Sequence, residues 1–298
     1  MSNIEMTTYA TKELVVNWHI TEACNYKCDY CFAKWNSNTK EILHSISKIE
    51  AVLTQIECIR HLFNTKSNKI LFENLRLNLV GGETFLYEKQ LRNIISLSKK
   101  YGFKLSAITN GSLFNSDNIE FIAQNFSSIG ISVDSLNKDT NLMIGRSSKK
   151  KVFDYQETLL AINQMREINP NLDFKINTVV NKLNFSENLS DFIQQVKPRK
   201  WKVFKLLPIY SDKLEIQDHE FYSFIKTHAH LSEIMSIENN DDMTESYLMI
   251  DPLGRFFQNG IERGYNYSSP LCEVSADFAL KQINFDTNKF ISRYKRII

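Results

Sequence analysis

Three of the chain's five cysteines, Cys24, Cys28 and Cys31, fall inside eight residues, and this clustering constrains the chain more than any other feature. Spacings of four and three residues let one loop aim three thiolates at a single inorganic centre. Thiolate is the natural soft ligand for iron–sulfur clusters and for zinc. A structural zinc needs a fourth protein ligand. No fourth cysteine stands near in sequence, and His19 and His44 lack ligand-type spacing to the three. A 4Fe–4S cluster held by three cysteines leaves one iron open to a small molecule.

At 298 residues, 43% of them hydrophobic, the chain has material for one large α/β domain or two small ones. A formal charge of +2 excludes a strongly basic nucleic-acid or membrane-surface binder, so an anionic ligand has to be met locally. Residues 1–12 hold no basic region followed by an apolar run, and no segment approaches the roughly 20 apolar residues that span a bilayer. An odd cysteine count with three clustered fits metal binding in a reducing compartment, the cytoplasm, better than a disulfide framework. Cys58 and Cys272 read as ordinary thiols.

Six β-type runs recur, at 14–21, 75–82, 104–111, 129–135, 174–181 and 201–209, with helix-length segments at 42–63, 87–101, 116–125, 155–168 and 185–196. That alternation reads as parallel βα units, too few for a full eight-stranded barrel. The expected fold is α/β, an open partial (β/α)6 barrel over residues 1–210 with a C-terminal extension over 211–298. Alternate residues of a strand point to opposite faces. Asn17, Lys175, Asn177, Lys200 and Lys202 share the polar face of their strands, opposite Val16, Trp18, Phe174, Ile176, Trp201 and Val203. If the apolar faces meet the helices, the polar faces line a cavity inside the barrel, where water or ligand satisfies them.

Polar groups also gather where strands lead into helices, the end at which βα barrels carry their sites. Gly81-Gly82-Glu83 ends the second run, Thr109-Asn110-Gly111-Ser112 the third and Ser132-Val133-Asp134-Ser135 the fourth. The two glycines allow backbone to approach a ligand closely, and the carboxylate can accept a bond from an ammonium group. Arg146 can clamp a carboxylate with its fork. Lys175 and Lys202 are uncomfortable inside a barrel without an anion. Asp134 and Glu83 are internal candidates, and a polyanionic substrate such as a nucleoside triphosphate is the functional alternative.

The CxxxCxxC spacing, with Tyr30 before the third cysteine, resembles the signature of radical S-adenosylmethionine (SAM) enzymes. The resemblance implies that Cys24, Cys28 and Cys31 hold a 4Fe–4S cluster whose open iron takes SAM. It places Tyr30 and Phe32 beside the adenine, Gly81, Gly82 and Glu83 at the SAM amino group, and Asn110, Ser132 and Arg146 at its ribose and carboxylate. Further motifs narrow it. Asn25-Tyr26-Lys27-Cys28, Asn110-Gly111-Ser112, Ile144-Gly145-Arg146, Phe174-Lys175-Ile176-Asn177, Trp201-Lys202-Val203-Phe204 and Ser246-Tyr247-Leu248 resemble, in order, the viperin family in a prokaryotic form. Thr84, Val80 and Lys200 depart from that family's usual proline, serine and arginine.

Membership would imply conversion of a ribonucleoside triphosphate to its 3′-deoxy-3′,4′-didehydro analogue, an antiviral chain terminator, through 4′-hydrogen abstraction and loss of water. By the same resemblance Lys175, Lys200, Lys202 and Lys281 grip the triphosphate, Asn17 and Asn177 position the nucleotide, and Tyr247 delivers a proton. A flavodoxin- or ferredoxin-type protein is the implied electron donor. Cytosine, uracil and guanine remain open as the base, and oligomeric state is not encoded in any motif. The alternatives are another radical SAM activity, on a peptide or small metabolite, or a non-catalytic iron–sulfur or zinc protein working through contacts. In the C-terminal part His228 and His230 read as exposed helix residues, and Lys281, Lys289, Arg293, Lys295 and Arg296 as a basic tail that folds over the open barrel and orders with nucleotide.

Overall fold

Each of the six β-type runs becomes a strand, and each strand ends one to four residues before its composition suggests. A computed structural model describes residues 13–34, 41–66, 71–149, 151–259 and 264–295 of the protein. In chain order these form β1 (Glu13–His19), α1 (Ile46–Lys66), β2 (Asn74–Val80), α2 (Glu88–Lys100), β3 (Lys104–Thr109), α3 (Ser116–Asn125), β4 (Ser128–Ser132), α4 (Lys138–Ile144), α5 (Tyr155–Ile168), β5 (Asp173–Val180), α6 (Ser190–Val196) and β6 (Lys200–Lys205). There follow α7 (Asp218–Thr227), β7 (Met235–Glu238), α8 (Asn240–Met243), β8 (Met249–Ile250), β9 (Arg255–Asn259), β10 (Tyr265–Pro270), α9 (Ala276–Leu280) and α10 (Thr287–Lys295). Residues 1–12, where a leader was sought, lie outside the described residues.

The strands form one sheet in the order β10-β9-β8-β1-β2-β3-β4-β5-β6-β7. From β1 to β7 every pairing is parallel. β8 joins β1 in parallel, and β9 and β10 complete the edge antiparallel. The sheet is curled enough for its edges to meet through side chains, since the Tyr247 hydroxyl, just before β8, lies 2.8 Å from Lys202 Nζ on β6. This is a partial barrel with a seam between β7 and β8.

Burial follows the parity of the strands. Along β5, Phe174, Ile176, Thr178 and Val180 are buried while Asp173, Lys175, Asn177 and Val179 are half-buried. The buried set faces the helices; α2, for example, turns Leu91, Ile94, Ile95 and Ser98 inward at three- and four-residue spacing. Side-chain caps start three of the helices. Asn115, Asn137 and Asp154 accept from the first free N–H groups of α3, α4 and α5.

One C-terminal expectation needs correcting. His228 is fully buried, accepting from Leu189 N–H through Nε2 at 2.9 Å, with Nδ1 2.8 Å from Phe224 O and its ring edge-on to Trp201. It lies on the same stripe of α7 as Phe221 and Phe224, and burial lowers its pKa. The part after residue 210 supplies strands to both edges of the sheet. Phe256, Leu271, Ala279 and Phe290 share one hydrophobic core with Leu14, Trp18 and Leu77. Phe290 of α10 packs on Phe63 and Phe72, at the end of the barrel where the strands begin. The side chains of Arg293, Lys295 and Arg296 lie outside the described residues.

Candidate active site

The cysteine loop leaves the C-terminal end of β1 and is pinned by backbone from two sides. Gly82 N–H donates to Thr21 O at 2.7 Å and Glu83 N–H to Ala23 O at 2.9 Å. Across the loop Lys27 N–H donates to Gly145 O at 3.1 Å and Asp29 N–H to Ile144 O at 2.9 Å. A Cβ on Gly82 would lie 2.2 Å from Ala23 O, one on Gly81 2.7 Å from Thr21 O, and one on Gly145, at φ +88°, 2.2 Å from Lys27 O. The glycines of the GGE stretch are therefore required by the approach of the cysteine loop's own backbone, where the sequence suggested a ligand. Glu41 accepts from Thr21 Oγ1 and Glu22 N–H, and Asn110 Nδ2 donates to Asn25 Oδ1 at 2.9 Å.

The three thiols are a soft donor set on one fixed loop. Cys24 Sγ accepts from Tyr26 N–H at 3.3 Å, and Cys31 N–H donates to Cys28 O at 3.1 Å. Burial pushes the Cys24 thiol up to about 11, Cys28 to about 12, and Cys31 in the same direction. Burial therefore favours the protonated thiol, and binding a metal centre releases those protons. Among the described residues no three His, Cys, Asp or Glu side chains stand close enough together to hold a metal ion. Three free thiols on one loop are the donor chemistry that an iron–sulfur cluster takes, so in kind the residues fit the cluster.

Around the loop stands a buried polar rim. Glu83 is fully buried; its carboxylate accepts from Thr109 Oγ1 at 2.6 Å, Asn110 N–H at 2.8 Å and Phe85 N–H at 3.1 Å. Burial raises its pKa, and those three bonds work against the shift. Its first task is to tie the ends of β2 and β3 together. Asp134 accepts from Arg146 NH1 at 3.2 Å, from the Tyr30 hydroxyl and from Val179 N–H at 2.9 Å. Arg146 also donates to Ser132 O, stands over the Phe153 ring and keeps a buried Nε without a hydrogen-bond partner. Burial works against its charge, yet Asp134, Tyr30 and Cys28 outweigh it and the pKa is raised. Among the described residues neither Asp134 nor Glu83 pairs with the interior lysines; both are committed to the rim. Phe32 is exposed and edge-on to the buried His19.

Inside the barrel a chain of hydrogen bonds crosses three strands. Asn17 Oδ1 accepts from Asn78 Nδ2 at 2.7 Å, Asn78 Oδ1 from Ser106 Oγ at 2.7 Å, and Ser106 Oγ from Arg76 NH1 at 2.7 Å. Arg76 also pairs with Glu13 at 2.6 Å. Facing this chain, Lys175 sits in register with Lys200, and Asn177 with Lys202 and Ser132. Burial, then the charges of Arg76, Lys202 and Lys200, lower the Lys175 pKa to about 7. Lys202 pairs with Glu238 of β7 at 2.8 Å and donates to the Tyr247 hydroxyl at 2.8 Å. The lumen thus gathers the cationic side chains of Arg76, Lys175, Lys200 and Lys202; Glu13 pairs with Arg76 and Glu238 with Lys202.

Sequence reading missed Arg76 and Glu238. Arg76 has the parity of Asn78 and was open to discovery by extending the strand pattern two residues back. Glu238 lies on a four-residue strand with no motif of its own. Lys281 is a correction: it is exposed on the outer side, 2.6 Å from Asp277 one turn earlier. Its helix α9 buries Ala276 and Ala279 and is tied to α1 through Ala276 N–H and Gln55, so Lys281 faces away from the lumen.

Comparison with known proteins bears on this geometry. Residues 18–192 match the Radical SAM superfamily. Over 96% of both chains the protein is 49% identical to an S-adenosylmethionine-dependent nucleotide dehydratase of Psychrobacter lutiphocae. It is 40% identical to one from a Fibrobacter species, covering 95% of this chain and 89% of that one. Against the Oncorhynchus mykiss enzyme of the same name identity is 28%, over 93% and 78% of the two chains. Among solved structures, native anSMEcpe with bound AdoMet superimposes with a TM-score of 0.63 at 14% identity, covering 94% and 82% of the chains. Streptococcus suis SuiB bound to precursor peptide SuiA does so with a TM-score of 0.62 at 16% identity, over 95% and 67%. Both likenesses are of fold.

Proposed function

The chain belongs to the radical SAM superfamily and, within it, to the viperin-like S-adenosylmethionine-dependent nucleotide dehydratases, and from that premise we propose that it removes water from a ribonucleoside triphosphate held inside the barrel. The product in this reading is the 3′-deoxy-3′,4′-didehydro nucleotide, an antiviral chain terminator. The chain is an enzyme of the dehydratase class, with a 4Fe–4S cluster and SAM as its cofactors. Cys24, Cys28 and Cys31 would hold the cluster, which with SAM supplies the one-electron chemistry that removes a hydrogen atom from the substrate sugar.

The observation that carries the triphosphate is the cationic lumen. Lys175 sits in the field of Arg76, Lys202 and Lys200, and its pKa of about 7 marks a site that favours additional negative charge. Asn17 and Asn177 lie on the same inner face, and the ladder through Asn78 and Ser106 fixes the Asn17 amide. They would orient the nucleotide between the lysines and the cysteine loop. Tyr30, Phe32, the Gly81–Glu83 backbone, Asn110, Ser132 and Arg146 surround that loop and would hold SAM. Residues after 210 would close the nucleotide site, a reading supported by Glu238 and Tyr247 reaching Lys202 across the seam. A flavodoxin- or ferredoxin-type donor would provide electrons. All five cysteines are free thiols, in keeping with a reducing cytoplasm, and among the described residues no helix is long and apolar enough to cross a membrane.

The test is anaerobic reconstitution with SAM and dithionite, offering CTP, UTP, GTP and ATP separately. A nucleotide lighter by one water, formed with 5′-deoxyadenosine, is expected and identifies the base. Equal, slow 5′-deoxyadenosine formation with and without every nucleotide would refute the substrate class.

A further inference from the structure

Glu238 ends β7 with one carboxylate oxygen 2.8 Å from Lys202 Nζ, while the other accepts from the Tyr247 hydroxyl. Lys202 closes the triangle by donating to the same hydroxyl at 2.8 Å. The three residues come from β6, β7 and the segment entering β8, so the triangle spans the seam of the barrel. Its main-chain supports are separate from its side-chain contacts: Gln258 Nε2 donates to Tyr247 O, and Ser246 Oγ to Asp242 O at 2.6 Å. Glu238 is buried at 5% exposure beside Lys202, one of the cations that lower the Lys175 pKa. Nothing in the sheet ladder requires a carboxylate there, since a backbone pairing with Phe204 fixes β7 whatever the side chain.

We propose that Glu238 is a positioning residue of the nucleotide site, standing in for a phosphate oxygen on Lys202 until substrate arrives and then aligning the Tyr247 hydroxyl. The inference rests on the nucleotide reading above. A carboxylate and a phosphate make the same kind of short, charge-assisted bond to an ammonium group, so they compete for Lys202. Phosphate wins because one triphosphate can engage Lys175 and Lys200 together with Lys202, whereas Glu238 brings a single carboxylate. Once Lys202 turns to phosphate, Tyr247 loses that contact and keeps Glu238. The hydroxyl then stays pointed along the seam toward the sugar.

Two consequences separate this from a purely structural carboxylate. Glu238→Gln keeps the shape and removes the competing charge, so it should bind nucleotide tighter, by about three- to tenfold, yet turn it over more slowly. Glu238→Asp keeps the charge but shortens the reach, so affinity should stay near wild type while turnover falls. The measurement is calorimetric titration of the reconstituted proteins, without reductant, using the accepted nucleoside triphosphate and inorganic tripolyphosphate, followed by product assays on the same samples. The gain for Glu238→Gln should appear with tripolyphosphate too, because the competition is for phosphate. Equal or weaker binding by Glu238→Gln overturns the stand-in role, and undiminished turnover by Glu238→Asp overturns the alignment. If wild type binds neither ligand, the nucleotide reading itself falls; if wild type binds and the variants do not differ from it, that reading stands and the inference alone fails.

Discussion

Lys175 is held with a pKa of about 7 by burial first and then by Arg76, Lys202 and Lys200. A bound triphosphate reverses the second cause and raises the pKa, so above pH 7 binding must draw a proton onto the site. Calorimetric titration at pH 8 in buffers of different ionisation enthalpy should therefore report proton uptake with nucleotide, and Lys175→Arg, charged throughout, should lose most of it. Uptake unchanged in that variant would place the titrating group elsewhere. The interior lysines were legible in the sequence because strand parity puts them opposite Phe174, Ile176, Trp201 and Val203, all of which are buried. Their counter-charge was not, because Glu238 reaches Lys202 only through the register of β6 with β7, which no local pattern announces. Signals did exist for two misplaced residues. Asp277 stands four residues before Lys281, the spacing of a surface helix pair, and His228 follows Phe221 and Phe224 on one helical stripe.

At the scale of elements, the strand ends explain why the six runs were found and their limits overshot. Thr21, Gly82, Gly111 and Asp134 continue the strand-like composition of their runs, but each has left the sheet to build the site. The glycines carry this most sharply. Gly145→Ala and Gly82→Ala would each drive a methyl group to 2.2 Å from a backbone oxygen of the cysteine loop. We expect both variants to lose most of their iron and visible absorbance after reconstitution. Gly102→Ala is the control, since Gly102 also has positive φ, +70°, but a Cβ there meets nothing within 4 Å. It should lower stability by about 1 kcal/mol and keep its cluster. Full iron content in Gly145→Ala would mean that the α4 terminus does not shape the loop.

Taken as a whole, the molecule is closed by the chain that follows the βα units. β7 extends one edge of the sheet, while β8 takes the other edge at β1, where Asn17 N–H donates to Leu248 O at 2.9 Å. Phe256, Leu271, Ala276, Ala279 and Phe290 then pack into the same core as β1 and α1. A chain ending at residue 210 would expose these apolar surfaces and leave β1 as an open edge, a template for association with other chains. It would also lose Glu238 and Tyr247 from the lumen. Full-length protein should unfold in one cooperative transition, followed alike by tryptophan fluorescence and far-ultraviolet circular dichroism. The shortened chain should aggregate or unfold without a cooperative step, because its core has lost a wall. A soluble, cooperatively unfolding chain of 210 residues that still binds tripolyphosphate would show the opposite, that the barrel and its phosphate site are complete before β7 and that the later strands only cover them.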